Sequence, residues 1–129
     1  MDRTEAIKEV VQNYFDGSYF ADGTKLDKAF HSVAHIYGLS GDGTLIDWHR
    51  DEFVANVGRA RPEGFKRDYD QDDEILSIDF TGENTAYAKV RLRVGMTMYT
   101  DILCLLCLDG KWGIIAKMLS GETIEADPA

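Results

Sequence analysis

The stretch Thr85-Ala86-Tyr87-Ala88-Lys89-Val90-Arg91-Leu92-Arg93-Val94-Gly95-Met96-Thr97-Met98-Tyr99 decides the fold. Its apolar residues recur at every second position, the period of a strand with one buried face. Ala86, Ala88, Val90, Leu92, Val94, Met96 and Met98 form that face. Thr85, Tyr87, Lys89, Arg91, Arg93, Thr97 and Tyr99 form the other. A strand this long must twist, and Gly95 is the natural place for a bulge. Upstream, Glu74–Thr81 alternates in the same way and turns at Gly82-Glu83-Asn84. Downstream, Asp101–Leu108 is apolar on both faces, so both faces need cover. Asp109-Gly110 signals a tight hairpin into Trp112–Leu119. If that loop holds two residues rather than three, the partner of Ile102 changes by one position, so Trp112 or Ile115 could share its face.

The first part of the chain is helical. Asp2-x-x-Glu5 has capping-box spacing, with Thr4 as a rival cap. Ile7, Val10, Val11, Tyr14, Phe15 and Tyr19 then follow the helical rhythm, and the helix should end between Asp16 and Phe20. A second helix fits Asp22–Phe30. Strands over Ala34–Leu39 and Thr44–Trp48 flank the turn Gly41-Asp42-Gly43. A third helix fits Asp51–Val57, and Gly58–Asp73 reads as a surface loop. Helices first and strands later argue for an α+β domain over residues 1–129. The length of 129 residues suits one core.

Charge and composition bound the partners. With 14 Lys+Arg against 23 Asp+Glu, the net charge is −9. Nucleic acid is thereby disfavoured as a partner, since phosphate binding needs clustered cations. No apolar run approaches the ~20 residues that cross a bilayer. The opening residues lack a signal-peptide layout, and two cysteines are too few for a disulfide scaffold. A cytoplasmic protein is expected. Three helices can cover one sheet face, and the chain has no further layer for the other. A homodimer through the sheet face is therefore expected, with a folded-back tail over Ser120–Ala129 as the alternative.

Motifs for chemistry are sparse. Cys104-x-x-Cys107 lies in a strand, where i and i+3 face opposite sides, so neither redox nor zinc chemistry fits. Asp68-x-Asp70-x-Asp72 resembles a calcium loop but lacks its turn glycine. His31 and His35 straddle an expected helix end and make a poor chelate, although either could act alone as acid or base, as could His49. No metal or cofactor is expected. Tyr14, Phe30, Tyr37, Trp48 and Phe53 fall on elements that pack over a bent sheet, and they are candidate lining for an apolar pocket. Asp101 opens an apolar strand. Facing inward, it would suit proton transfer; otherwise it ends the strand exposed or pairs with Lys117 across the hairpin. Candidate catalytic residues are Asp101, Tyr14 and His31.

Taken together, several stretches resemble the NTF2-like superfamily, and more narrowly its putative lumazine-binding subset. They are Tyr14-Phe15-Asp16-Gly17, Asp22-Gly23, Ala29-Phe30-His31, Arg50-Asp51-Glu52-Phe53, Ala86-x-Ala88-Lys89-Val90, Asp101-x-Leu103 and Leu108-Asp109-Gly110-Lys111-Trp112. The likeness covers nearly the whole chain. It implies a cone of three helices on a strongly bent, mixed or antiparallel sheet, in α-α-β-β-α-β-β-β-β order, with a pocket and usually a homodimer. Two enzymes of the superfamily sharpen the expectation. Ketosteroid isomerase carries a carboxylate base at a position aligning with Tyr37–Gly38, and Ala34–Leu39 here holds no Asp or Glu. Tyr14 and Asp101 could imitate its oxyanion-binding pair. Scytalone dehydratase places histidines on late strands, whereas all three here precede residue 50. The expected function is binding of a small apolar or aromatic molecule. The alternative is an isomerase or dehydratase-like lyase working by proton transfer on a cyclic or polyketide-type substrate. A dimeric interaction module with a filled interior stands third.

Overall fold

The computed structural model describes residues 1–63 and 65–124. Its elements run α1 (Arg3–Phe20), α2 (Gly23–Ala29), β1 (Phe30–Leu39), β2 (Leu45–His49), α3 (Arg50–Val57), β3 (Asp73–Phe80), β4 (Thr85–Val94), β5 (Thr97–Leu108) and β6 (Lys111–Thr123). The six strands make one sheet in the order β2-β1-β6-β5-β4-β3. Neighbours are antiparallel except β1 and β6, which run parallel, so the sheet is mixed. The α+β class and the order of elements match the expectation. No helix among the described residues is long and apolar enough to cross a membrane.

Local chemistry explains the boundaries. Asp2 caps α1 by accepting from the Glu5 N–H at 2.8 Å. Asp22 caps α2 by accepting from the N–H groups of Thr24 and Lys25. His49 caps α3, its Nδ1 accepting from the Asp51 N–H. That bond fixes the His49 ring as a helix cap. The second helix is shorter than expected. It stops at Ala29, and Phe30 already begins β1, so His31 is a strand residue. Its Nε2 donates to the Leu106 carbonyl at 2.8 Å, and His35 instead pairs with Asp47.

The long strand read from Thr85 to Tyr99 is two strands. Val94 pairs with Thr97, leaving Gly95-Met96 as a two-residue hairpin loop. Gly95 has φ +62° while Met96 does not enter the left-handed region. This is the pattern of a type II′ turn, which asks for glycine at its first central position. Strict alternation is blind to such a turn because the apolar period runs through it. Met98 consequently lies on the outer face, opposite Arg93. The Asp109-Gly110 loop also holds two residues, both with positive φ, and Leu108 pairs with Lys111. That loop alone would set Ile102 opposite Lys117, but an extra residue later in β6 moves its partner to Met118.

The core lies between the helices and the inner sheet face. Ile7, Val11 and Tyr14 of α1 and Leu26 of α2 meet Ala88, Val90, Leu103 and Ile114 of the sheet. On the outer face, Tyr87, Cys104 and Ala116 form one cross-strand row, and Lys89, Ile102, Met118 and Tyr37 form the next. Cys104 and Cys107 thus face opposite sides of the sheet, as their spacing requires. Ser120–Thr123 continue β6 beside β5, so they do not fold back over the sheet. The rest of the expected tail, 125–129, lies outside the described residues.

Candidate functional site

A cavity of about 200 Å³ opens between the helices and the sheet. Tyr14 and Ser18 reach it from α1, and Phe53 and Val57 from α3. Ile46 and Trp48 come from β2, Val94 from β4, Tyr99 from β5, and Lys117 and Leu119 from β6. It is somewhat larger than a ~150 Å³ protein cavity that accommodates benzene. Ile46, Trp48, Val57 and Leu119 are half-buried and form the outer wall. Tyr14, Phe53 and Lys117 form the buried floor.

Three polar residues meet at that floor. The Tyr14 hydroxyl donates to Asp101 Oδ2 at 2.6 Å, and Lys117 Nζ donates to the Tyr14 oxygen at 2.6 Å. Lys117 Nζ stands 3.7 Å from Asp101 Oδ2, too far for a direct hydrogen bond but within ion-pair range. Asp101 is 0% exposed and Lys117 5%. The ammonium also lies 4.3 Å from the Phe53 ring centre and 4.6 Å from that of Tyr14. Cation–π attraction thus supplements the hydrogen bond to Tyr14. Asp101 Oδ1 is buried without a hydrogen-bond partner among the described residues.

Burial dominates the proton affinities of Lys117 and Tyr14. It pushes the Lys117 ammonium below the usual lysine range, and the Asp101 carboxylate opposes that only in part. Burial, reinforced by the same carboxylate, raises the Tyr14 hydroxyl well above the usual tyrosine range. Tyr14 therefore holds its proton and passes hydrogen bonding from Lys117 to Asp101. Because its proton points at Asp101, Tyr14 has none to offer the cavity, and the charged donor in its lining is Lys117, beside the neutral donors of Ser18, Trp48 and Tyr99.

The candidate residues from sequence separate into groups. Tyr14, Trp48 and Phe53 line the cavity. Asp101 sits directly behind Tyr14. It both faces inward and pairs with Lys117, two arrangements that the sequence presented as alternatives. Phe30 is buried edge-on against Tyr14 at 5.7 Å, so it buttresses the floor without lining the cavity. Tyr37 lies on the outer sheet face, 39% exposed, because its odd position in β1 points away from the helices. His31 is held to Leu106 and is not part of the cavity wall.

Lys117 was missed as a lining residue, and the cause is a β-bulge. Cys104 pairs with Ala116 but Leu105 pairs with Ile114, so Ile115 is an extra residue in β6. Unbroken alternation from Trp112 would turn Lys117 outward. The bulge reverses the phase and brings Lys117 beside Leu103 on the inner face. Ser18, Ile46, Val57, Val94, Tyr99 and Leu119 were also missed. Only Ser18, a small polar residue one helical turn after Tyr14, left a readable trace.

The family described as Putative lumazine-binding matches residues 2–120. The chain belongs to that family. Its structure is that of the NTF2-like superfamily, with the cystatin-like α+β arrangement. An NTF2-like protein of unknown function from Shewanella baltica OS155 is 27% identical, with 92% of this chain and 93% of that one covered and a TM-score of 0.80. One from Methylobacillus flagellatus KT is 26% identical, with 95% and 94% covered and a TM-score of 0.75. A ketosteroid isomerase-like protein from Erwinia carotovora atroseptica SCRI1043 is 16% identical, with 92% and 95% covered and a TM-score of 0.68. At that identity the likeness is one of fold.

Proposed function

We propose that this family member binds a compact, mostly apolar, ring-containing molecule in the cavity above Lys117. One observation carries the reading. The wall is mostly aromatic and aliphatic, and its floor presents an ammonium that makes one hydrogen bond among the described residues. Such a site favours a flat ligand with an oxygen acceptor aimed at Nζ. Lumazine, a flat two-ring compound with carbonyl oxygens, falls in that class. Native mass spectrometry of the purified protein, wild type beside Val57→Trp, tests the reading. A molecule retained by the wild type and lost from the filled variant is the expected result. A bare wild-type mass, with no binding on titration with lumazine or benzyl alcohol, would contradict it.

A second reading, proton-transfer chemistry of an isomerase or lyase, is favoured by the Lys117–Tyr14–Asp101 chain. The two hydrogen bonds can relay a proton between the cavity and a buried carboxylate. In either reading the outer sheet face pairs with a second copy of the chain. Ile102, Met118, Cys104 and Ala116 give that face an apolar centre, rimmed by the Arg91–Glu74 and His35–Asp47 pairs. Exposed Met118 at 58% and Tyr87 at 38% are costly to leave in water. Two free thiols suit a reducing cytoplasm.

A further inference from the structure

We propose that Lys117 is a nucleophile that condenses with an aldehyde or ketone held in the cavity, forming an imine on Nζ. The proposal rests on the cavity being a small-molecule site and names the functional group its ligand carries. Three features of the floor support it. Lys117 is enclosed between the Tyr14 and Phe53 rings, so its amine is shielded from bulk water. It reaches the cavity wall, where a carbonyl carbon can approach. Finally, Tyr14 connects it to a carboxylate through two hydrogen bonds of 2.6 Å, a ready path for a proton.

The proton path makes the step balance. To become a neutral amine, Lys117 gives a proton to the Tyr14 oxygen while Tyr14 gives its own to Asp101 Oδ2. No net charge is created, because a buried ion pair becomes two neutral groups. Burial favours that exchange, which agrees with the depressed proton affinity of Lys117. The Nζ lone pair then attacks the carbonyl carbon, and the carbonyl oxygen takes up the amine proton to give a carbinolamine. Tyr14 protonates the departing hydroxyl and is itself reprotonated from Asp101. Water leaves and the C=N bond forms, restoring the Asp101 carboxylate beside a protonated imine. Carbonyl and amine go in; imine and water come out. No oxidant, metal or further reactant is needed.

Asp101 Oδ1 fits this role. It is a buried acceptor with no hydrogen-bond partner among the described residues, a costly arrangement for a purely structural carboxylate. The six other lysines offer an internal control. Lys8, Lys28, Lys66, Lys89 and Lys111 are exposed, and Lys25 is half-exposed beside Asp16. None of them is enclosed as Lys117 is.

Benzaldehyde with sodium cyanoborohydride at near-neutral pH is the test, with peptide mapping of the benzyl group it leaves. Lys117 should carry at least about tenfold more label than any other lysine, because its amine alone is enclosed at the cavity floor, where burial favours the neutral form. Benzyl alcohol has the same ring and no carbonyl. It should suppress labelling at Lys117 alone and produce a saturable change in tryptophan emission. Tyr14→Phe keeps the ring but cuts the proton path, so it should slow labelling at Lys117 and leave the exposed lysines unchanged. Even labelling of the exposed lysines while benzyl alcohol still binds overturns the imine and leaves the binding site standing. Absence of both Lys117 labelling and benzyl alcohol binding removes both.

Discussion

Removing Lys117 alone leaves Asp101, a carboxylate with no exposed surface, without its cation. Lys117→Met should therefore cost about 3–5 kcal/mol of folding stability. Adding Asp101→Leu should recover most of that loss, because two apolar side chains replace the pair. Urea denaturation of the two single variants and the double variant checks the coupling. Additive losses would mean that the two residues do not act as a pair. A second titratable group makes a prediction at the surface. The Ser40 hydroxyl and the Thr44 N–H hold the Asp42 carboxyl down to about 2. Asp42 therefore contributes to the β1–β2 hairpin above the ordinary aspartate value of about 4 and loses that contribution as pH falls through about 2. The Thr44 amide proton shift, followed by NMR, should titrate with a midpoint near 2. Individual residues were unevenly legible in the sequence. Tyr14 and Asp101 stood out as polar groups on apolar elements. Lys117 did not, because one inserted residue, Ile115, reverses the strand's phase and leaves no mark in composition.

Turns and close contacts set the limits of the elements. Gly95 sits at φ +62° with open space where a Cβ would lie, so Gly95→Ala tests backbone conformation alone. The cost should be about 1–2 kcal/mol, read as a fall in urea midpoint. Gly58 is the opposite case. A Cβ there would lie 2.6 Å from the Gly23 Cα, so α2 and α3 would have to separate. Gly58→Ala should cost about 1–3 kcal/mol and also weaken ligand binding, since Phe53 and Val57 on α3 line the cavity. Helix caps and alternating strands were readable because each depends on residues close in sequence. The break at Gly95-Met96 was not. Its apolar period continues unbroken across the turn, and pairing between β4 and β5 is what reveals it.

At the level of the assembled sheet, the proposed self-association rests on the outer face. Its apolar centre, Ile102 and Met118 flanked by Tyr37 and Tyr87, has no helix over it in the described residues. Sedimentation at low micromolar concentration should find a dimer, and Met118→Glu should convert it to monomer without unfolding it. Monomer throughout for the wild type would dismiss the self-association. The class of fold, the order of elements and this uncovered face could all be inferred from the sequence, because they follow from periodicity and from having too few elements to form another layer. The cavity could not. Its walls come from six elements spread from α1 to β6, and only their packing leaves the space.

The account depends most on a ligand meeting Lys117 inside that cavity. Lysine side chains labelled with ¹³C report it directly by NMR as benzyl alcohol is added. The Lys117 Cε signal should stand apart from the other lysines, lose its proton at lower pH than they do, and shift saturably with the ligand while they stay still. A Lys117 signal that titrates with the exposed lysines and does not respond to saturating benzyl alcohol would contradict the site.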